Sequence, residues 1–288
     1  MAGGCSRLLP APTAGTGQEL VGPTAGSSGT RCLRSSGPGY CLNVPAVLVA
    51  VLIGLLSSQV AFVVTTVYLH RALAHRAITM KPPVAFACRI VIWISTGTRP
   101  RQWVAVHRKH HAYTDKEGDP HSPIIFGYPA VQFGNAVLYR RVARNPAAVA
   151  RYARDLPGSR WDRVLFDHAL LGLGIGVAIL VALFGWELAL IAAVTHASVY
   201  LLGGGAINAI GHKWGKRPYD NLATNNQWLA WVVAGEGLHN NHHAATTSGR
   251  LSMAKGEIDP GWWAVRLLVQ LHWATIRHEK PLPKPSRV

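Results

Sequence analysis

The stretch "EGLHNNHH", residues 236–243, places three histidines and two asparagines in eight positions, just past an apolar run. On a helix, His239, His242 and His243 stand at i, i+3 and i+4 on one face, so their imidazoles converge. The same spacing recurs in "HRKHH", residues 107–111, with His107, His110 and His111. Two smaller groups are "HRALAH", residues 70–75, and "NAIGH", residues 208–212. Asn208 and His212 are four apart and share a helical face. His70 and His75 are five apart, which is not one face of a regular helix, so their helix must end or unwind there if both bind one metal.

Each group lies just beyond an apolar segment or in a loop between such segments. Three windows are long and nearly uncharged, at 44–69, 164–184 and 188–210. About 20 residues at about 1.5 Å each span roughly 30 Å of hydrocarbon. The reading is an all-α integral membrane protein of three or four transmembrane helices, with a helical cap on the cytoplasmic side. A shorter apolar stretch, 83–97, contains Arg89 and is expected to lie in the interface or pack on the cap. The stretch 99–163 is polar and reads as helical pieces, with "DPHSP" a turn. Residues 259–273 read as an amphipathic surface helix, with Trp262, Trp263 and Trp273 as interface anchors. Residues 1–43 are rich in Gly, Ser, Pro and Thr and read as disordered, 44–280 as the membrane domain, and 281–288 as a tail.

The formal charge of +16 has no dense basic run, which argues against nucleic acid. Its lysines and arginines flank the apolar windows: twelve against five acids between Arg99 and Arg163, and ten against five from His212 onward. The short link 185–187 has no basic residue. The positive-inside rule therefore puts the two basic segments in the cytoplasm and the link outside, with anionic lipid as the partner of the surplus charge. Cysteines 5, 32, 41 and 88 offer neither paired metal spacing nor a disulfide framework. A bias to Ala, Gly, Arg and Val with few Lys points to a high-GC bacterium.

A folded hairpin gathers nine of the fourteen histidines at one depth, immediately below the membrane. Imidazole suits Fe, Zn, Cu and Ni, and nine exceed what one ion accepts, so two metals are implied. A structural zinc site would usually include thiolates, and no cysteine lies near any group. The carboxylate pattern of soluble di-iron bundles is also missing. His121, His168, His196, His272 and His278 occur singly and read as packing or surface residues. Asp119 and Glu236 read either as plain acids or as partners that orient imidazole N–H groups.

These groups in this order, with "DPHSP" after the second, resemble the membrane acyl-CoA desaturases of the delta-9 type, over roughly three quarters of the chain. The resemblance implies a di-iron centre that uses dioxygen and two electrons to place a cis double bond in a saturated acyl chain. It implies one iron held by His70, His75, His107, His111 and His243. The second would take His110, His212, His239 and His242, with Asn208 reaching it through a water. Trp103 matches an aromatic position close to the family's substrate tunnel. Ala105 stands where animal members carry a basic residue, so the carrier is open among CoA, acyl carrier protein and intact lipid. No haem domain or iron–sulfur cysteine set is present, so electrons come from a separate reductase or ferredoxin-like partner. The family's usual hairpin before its first box is here a single apolar stretch, read as a shortened first hairpin. A di-iron lipid or alkane hydroxylase is the alternative within the same chemistry. A non-catalytic metal-binding membrane protein or transporter would place histidines or carboxylates at midplane, where only His196 is available.

Overall fold

The computed structural model describes residues 44–277, so the expectations for 1–43, 278–280 and the 281–288 tail lie outside the described residues. In chain order the helices are α1 (Val44–Val64), α2 (Pro82–Thr96), α3 (Pro100–Tyr113), α4 (Pro123–Phe126), α5 (Tyr128–Ala143), α6 (Pro146–Tyr152), α7 (Ala169–Phe184), α8 (Trp186–Ala209), α9 (Gln227–Val232), α10 (His239–Ala244) and α11 (Pro260–Gln270). Among the described residues the helices are joined by a small antiparallel ladder of β1 (Ile78–Met80) and β2 (Ala274–Ile276), with Ile78 opposite Ile276. Proline occupies the first turn of α2, α3, α4, α5, α6 and α11. Its fixed φ suits a helix start, and its missing N–H costs nothing there.

Two segments are long and apolar enough to cross a membrane: α1 with its continuation to Ala74, and α8 with its continuation to His212. The outer face of α1 exposes Leu48, Leu52 and Leu56, and its buried stripe is small: Ala50, Gly54, Ser58 and Ala61. Small residues let helix backbones approach closely where lipid supplies no hydrophobic drive. A Cβ on Gly54 would come within 2.6 Å of the Ala192 carbonyl and of Thr195 Cβ on α8.

The α7–α8 hairpin turns at Gly185, whose φ of +78° suits a residue without Cβ. The apolar window expected from 164 starts late. Asp162–Phe166 is a π-helical turn, and α7 begins only at Ala169, giving it 16 residues. Polar ties to α2 and the α2–α3 junction hold the break in place. Arg89 pairs with Asp162, the Arg99 guanidinium bonds the Asp167 carbonyl, and Trp93 Nε1 donates to the His168 carbonyl at 3.1 Å. Helix α2 packs on α7, with Gly172 against Trp93.

The cap is tied to these helices by buried polar contacts. Arg71 and Asp259 form an ion pair at 2.8 Å with both side chains about 1% exposed, and Asp259 also caps α11 through Trp262 N. Removing one partner of such a pair costs about 3–5 kcal/mol, because the other charge is left buried alone. Helix α5 lies against α8, where Gln132 Nε2 donates to the Leu202 carbonyl at 2.9 Å.

Gly54→Leu is expected to lower the thermal unfolding temperature in detergent, since overpacking of this kind costs about 1–3 kcal/mol. Gly174→Leu on α7 faces open space and should leave it unchanged. Equal melting of the two variants would contradict the close α1–α8 packing.

Candidate metal centre

The four histidine groups come together at one end of α1 and α8. The five-residue interval of His70 and His75 is solved by the backbone: α1 runs into π-helical turns over Thr65–Ala74. His75 N–H then bonds the His70 carbonyl at 3.0 Å, so residues five apart fall on nearly one face. Their rings lie 4.8 Å apart between centroids. His107, His110 and His111 come from α3, His212 from a 3-10 turn that ends α8, and His239, His242 and His243 from α10.

The nine imidazoles sort into two sets. In the first, His70 Nε2 faces His242 Nε2 at 3.1 Å, and His75 Nε2 faces His107 Nε2 at 2.7 Å. His111 Nε2 lies 3.1 Å from His107 Nε2 and 2.9 Å from His242 Nε2. In the second, His243 Nε2 lies 3.3 Å from His110 Nε2 and 3.2 Å from His239 Nε2, with His212 completing the set. Two expectations change here. The partition implied by resemblance put His243 in the first set and His242 in the second, and the structure exchanges them. Nor do the three histidines of "HRKHH" converge on one point. The i and i+4 residues, His107 and His111, stay together while His110 turns to the other set. On α10 the i and i+4 pair, His239 and His243, serves the second set, and His242 crosses to the first. The reason is helical phase: i and i+4 differ by about 40° around the axis, whereas i+3 and i+4 differ by about 100°.

Behind the rings stand three carboxylates. His70 Nδ1 bonds Glu236 Oε1 at 2.6 Å, His110 Nδ1 bonds Asp119 at 3.0 Å, and His212 Nδ1 bonds Asp115 Oδ2 at 2.7 Å. A carboxylate can only accept, so each ring carries its proton on Nδ1 and turns a bare Nε2 lone pair inward. Thr66 adds a hydrogen bond to Glu236. Burial pushes the Glu236 carboxyl up, and the adjoining His70, Arg71 and Thr66 together outweigh it, leaving the group lowered. Burial likewise works against Asp115, and the His212 and Ser122 hydrogen bonds hold it below its usual value. Asp119, more dominated by burial, is pushed up to about 6.

Sequence reading named Asp119 and Glu236 but missed Asp115, Thr66 and Arg108. Asp115 has a φ of +58°, a conformation aspartate tolerates, and its only linear signal is its place two residues after α3. Arg108 lies between two site histidines. It donates to the Ala74 and Leu73 carbonyls, each at 2.9 Å, to the Tyr152 carbonyl at 3.0 Å, and to Asp155. It thereby fixes the first histidine group against α3 and α6. The two asparagines of "HNNHH" face away from the imidazoles. Asn240 and Asn241 are fully buried. Asn240 bonds Tyr219, Asn221 and Ala223, and Asn241 bonds Asn225, Leu251 and Glu257.

The remaining predicted residues fall as follows. Trp103 stacks on His107, with centroids 4.9 Å apart. Asn208 is half-buried, and its amide donates to the Gly204 carbonyl at 3.2 Å. His168 and His196 bond the Arg163 and Ser95 carbonyls, as packing residues do. His121 is buried against His110, 4.9 Å between centroids, closer to the site than a lone turn histidine suggested.

The donors fit metal ions. Ligand nitrogens about 2.1 Å from one ion, subtending 90–109°, lie about 3.0–3.4 Å apart, close to the spacings seen between the Nε2 atoms. His212 Nε2 is buried without a hydrogen-bond partner, as expected of a group reserved for a metal. Burial, reinforced by neighbouring imidazoles, holds His75, His107, His110, His239, His242 and His243 well below the usual histidine range and His111 at about 3. Neutral imidazole is the ligating form.

Over residues 43–247 the chain matches the fatty acid desaturase family. The chain belongs to that family. It is 32% identical over 220 residues to an acyl-CoA C20 delta-5 desaturase of Anemone leveillei, covering 73% of this chain and 68% of the relative. Identity to the delta-9 acyl-lipid desaturase 2 of Arabidopsis thaliana is 30% over 217 residues, covering 73% and 68%. For the sn-1 stearoyl-lipid 9-desaturase of Anabaena variabilis it is 29% over 221 residues, covering 73% and 76%. The expected all-α membrane architecture and desaturase resemblance are therefore borne out, and the chain is an oxidoreductase of the membrane.

Two outcomes follow. Asp115→Asn keeps the shape but loses the carboxylate behind His212, and metal affinity measured by competition with a chelator should fall about 10–100-fold. The seven histidines held below the usual range titrate under the value of about 6.5 found in an unfolded chain, so protons bind the unfolded state more. Metal-free protein is therefore expected to hold its full stability above about pH 6.5 and to lose it as pH falls towards 3. Thermal unfolding at pH 7.5, 5.5 and 4 reads this directly, and an apo-protein that melts at one temperature throughout would refute it.

Proposed function

We propose that the protein inserts a cis double bond into a saturated fatty acyl chain at a pair of irons, taking dioxygen and two electrons from a separate donor. The observation that carries this reading is the pair of all-imidazole sets, four histidines in each with His111 joining the first through His107 and His242, lying side by side in a chain of the desaturase family. Two irons bound there would activate dioxygen, the oxidant: with two electrons from the donor and two protons it would leave as two waters, the other two hydrogens and two electrons coming from the methylenes. His70, His75, His107, His111 and His242 would hold one, and His110, His212, His239 and His243 the other, with Asn208 near the second through a water.

The protein's own residues do the remaining work. Glu236, Asp119 and Asp115 fix ring orientation and keep protons on the outward nitrogens. Arg108 and the asparagines of α10 keep the two sets in register, since displacements of about 1 Å cost catalysis heavily. Trp103, flat against His107 and packed among Leu73, Val104 and Ile92, offers an apolar wall on which an acyl chain would lie beside the first set. The neighbouring position Ala105 is fully buried, so it offers no contact to a carrier headgroup. The relatives named above act on acyl-CoA in one case and acyl-lipid in two, and an acyl group carried by CoA or by a membrane lipid is the substrate class proposed here. The setting proposed is a bacterial cell membrane, with the cap in the cytoplasm and a ferredoxin-like protein or NAD(P)H reductase as electron donor.

Gas chromatography with mass spectrometry of total fatty acids from a host expressing the chain and a reductase tests this. A new monounsaturated acid is expected, lost in His242→Ala, whose iron content should also fall. A hydroxylated acid in its place would overturn the reaction while keeping the metal centre, and protein purified without iron would overturn both.

A further inference from the structure

Helices α4 and α5 were expected to belong to a polar segment outside the membrane, yet they present an apolar face to the surroundings. Ile124 is 61% exposed, Phe133 74% and Val137 57%. On α5 this face is one continuous helical stripe. Phe133 and Val137 stand at i and i+4, and Arg140, Arg141 and Arg144 follow at i+7, i+8 and i+11, all exposed. The opposite face is buried, with Val131, Leu138 and Val142 in the core. One end of the exposed stripe is therefore apolar and the other cationic.

The depth of the apolar end follows from α8. Gln132 donates to the Leu202 carbonyl and Asn135 to the Gly204 carbonyl, so Phe133 lies level with residues 202–204. Those positions are about 24–27 Å along α8 from Trp186, still within roughly 30 Å of hydrocarbon. Leu201 and Leu202 beside it are themselves 56% and 45% exposed. Another part of the molecule repeats the arrangement. The Val232 carbonyl of α9 accepts from Gln59 Nε2, about 22 Å along α1 from Val44, and Trp228 is 84% exposed.

We propose that α5 is a membrane anchor that dips into one leaflet, with Phe133 among acyl chains and the Arg140–Arg144 end among lipid phosphates. The occupant of this face is the bilayer, because the face is continuous with the exposed apolar surface of α8 and ends in cations that suit phosphate. Phe133 and Arg141 are about 12 Å apart along the α5 axis, the most by which their depths can differ.

The test uses the full chain with its four cysteines replaced by serine and single labels at Phe133→Cys, Val137→Cys or Arg141→Cys, in phospholipid nanodiscs. Leu52→Cys on α1 and Lys255→Cys on the cap are the references, and each labelled protein is first shown to elute as the parent does. An environment-sensitive fluorophore at Phe133 should lose most of its emission to lipids spin-labelled deep in the acyl chain, as at Leu52, and little to iodide. At Arg141 the order should reverse, with Val137 between. Iodide quenching at Phe133 equal to that at Lys255 would overturn the proposal by placing the face in water. Protection from both quenchers would overturn it by showing that protein, such as a second copy of this chain, covers the face.

Discussion

Eight imidazoles held with inward nitrogens about 3 Å from one another, and a ninth beside them, are a repulsive arrangement unless cations fill it, and much of the surrounding structure can be derived from that constraint. For His70, His110 and His212 the ring proton is committed to a carboxylate on the other side, so their inward nitrogens have none to share. Protonating the rings instead would bury positive charge, and then set such charges side by side, which is why His75, His107, His110, His111, His239, His242 and His243 titrate below the usual histidine range. The site is thus electrostatically prepared for metal: three anions behind the rings, neutral donors in front, and no competing proton at neutral pH.

Helical geometry distributes those donors. A single helix can offer neighbouring residues at i and i+4 to one point and i+3 to another, so α3 and α10 each give two histidines to one set and one to the other. The assignments are reciprocal: α3 gives its pair to the first set, α10 to the second. This reciprocity places His111 beside His243, 4.5 Å between ring centroids, at the seam of the two sets. The π-helical turns supply what an α-helix cannot, two ligands five apart. Arg108 then ties off the carbonyls at the end of those turns, which would otherwise be left without partners as the helix ends.

What could be read linearly was what repeats or persists over many residues. The apolar runs and the histidine spacings announced membrane helices and the gathering of all nine histidines in one place. What could not be read was set by distance in space. Whether His242 or His243 faces a given partner depends on the roll of α10, which Asn240 and Asn241 set through loops around residues 219–225 and 251–257. Asp115 looks like any loop acid until the turn after α3 brings it under His212. The late start of α7 comes from Arg89, Arg99 and Trp93 reaching across from α2 and the α2–α3 junction, and local hydropathy has no means of registering them. The stripe on α5 escaped notice because its mean composition is ordinary and only its phase is unusual.

The lengths of the helices explain why the metal centre sits where it does. The crossing segments have 31 and 27 residues, whereas about 20 suffice for hydrocarbon. Both run in the same sense and pack closely through Gly54, so their surplus emerges on one side, carrying His70 and His212 out of the bilayer together. Helices α2 and α7, at 15 and 16 residues, are too short to add any such projection. A polar, multiply charged site is thereby kept out of lipid while Trp103 and its apolar neighbours stay within reach of it. An acyl chain needs the opposite environment from the metals that would oxidise it, and a boundary between hydrocarbon and cap is where one fold can supply both.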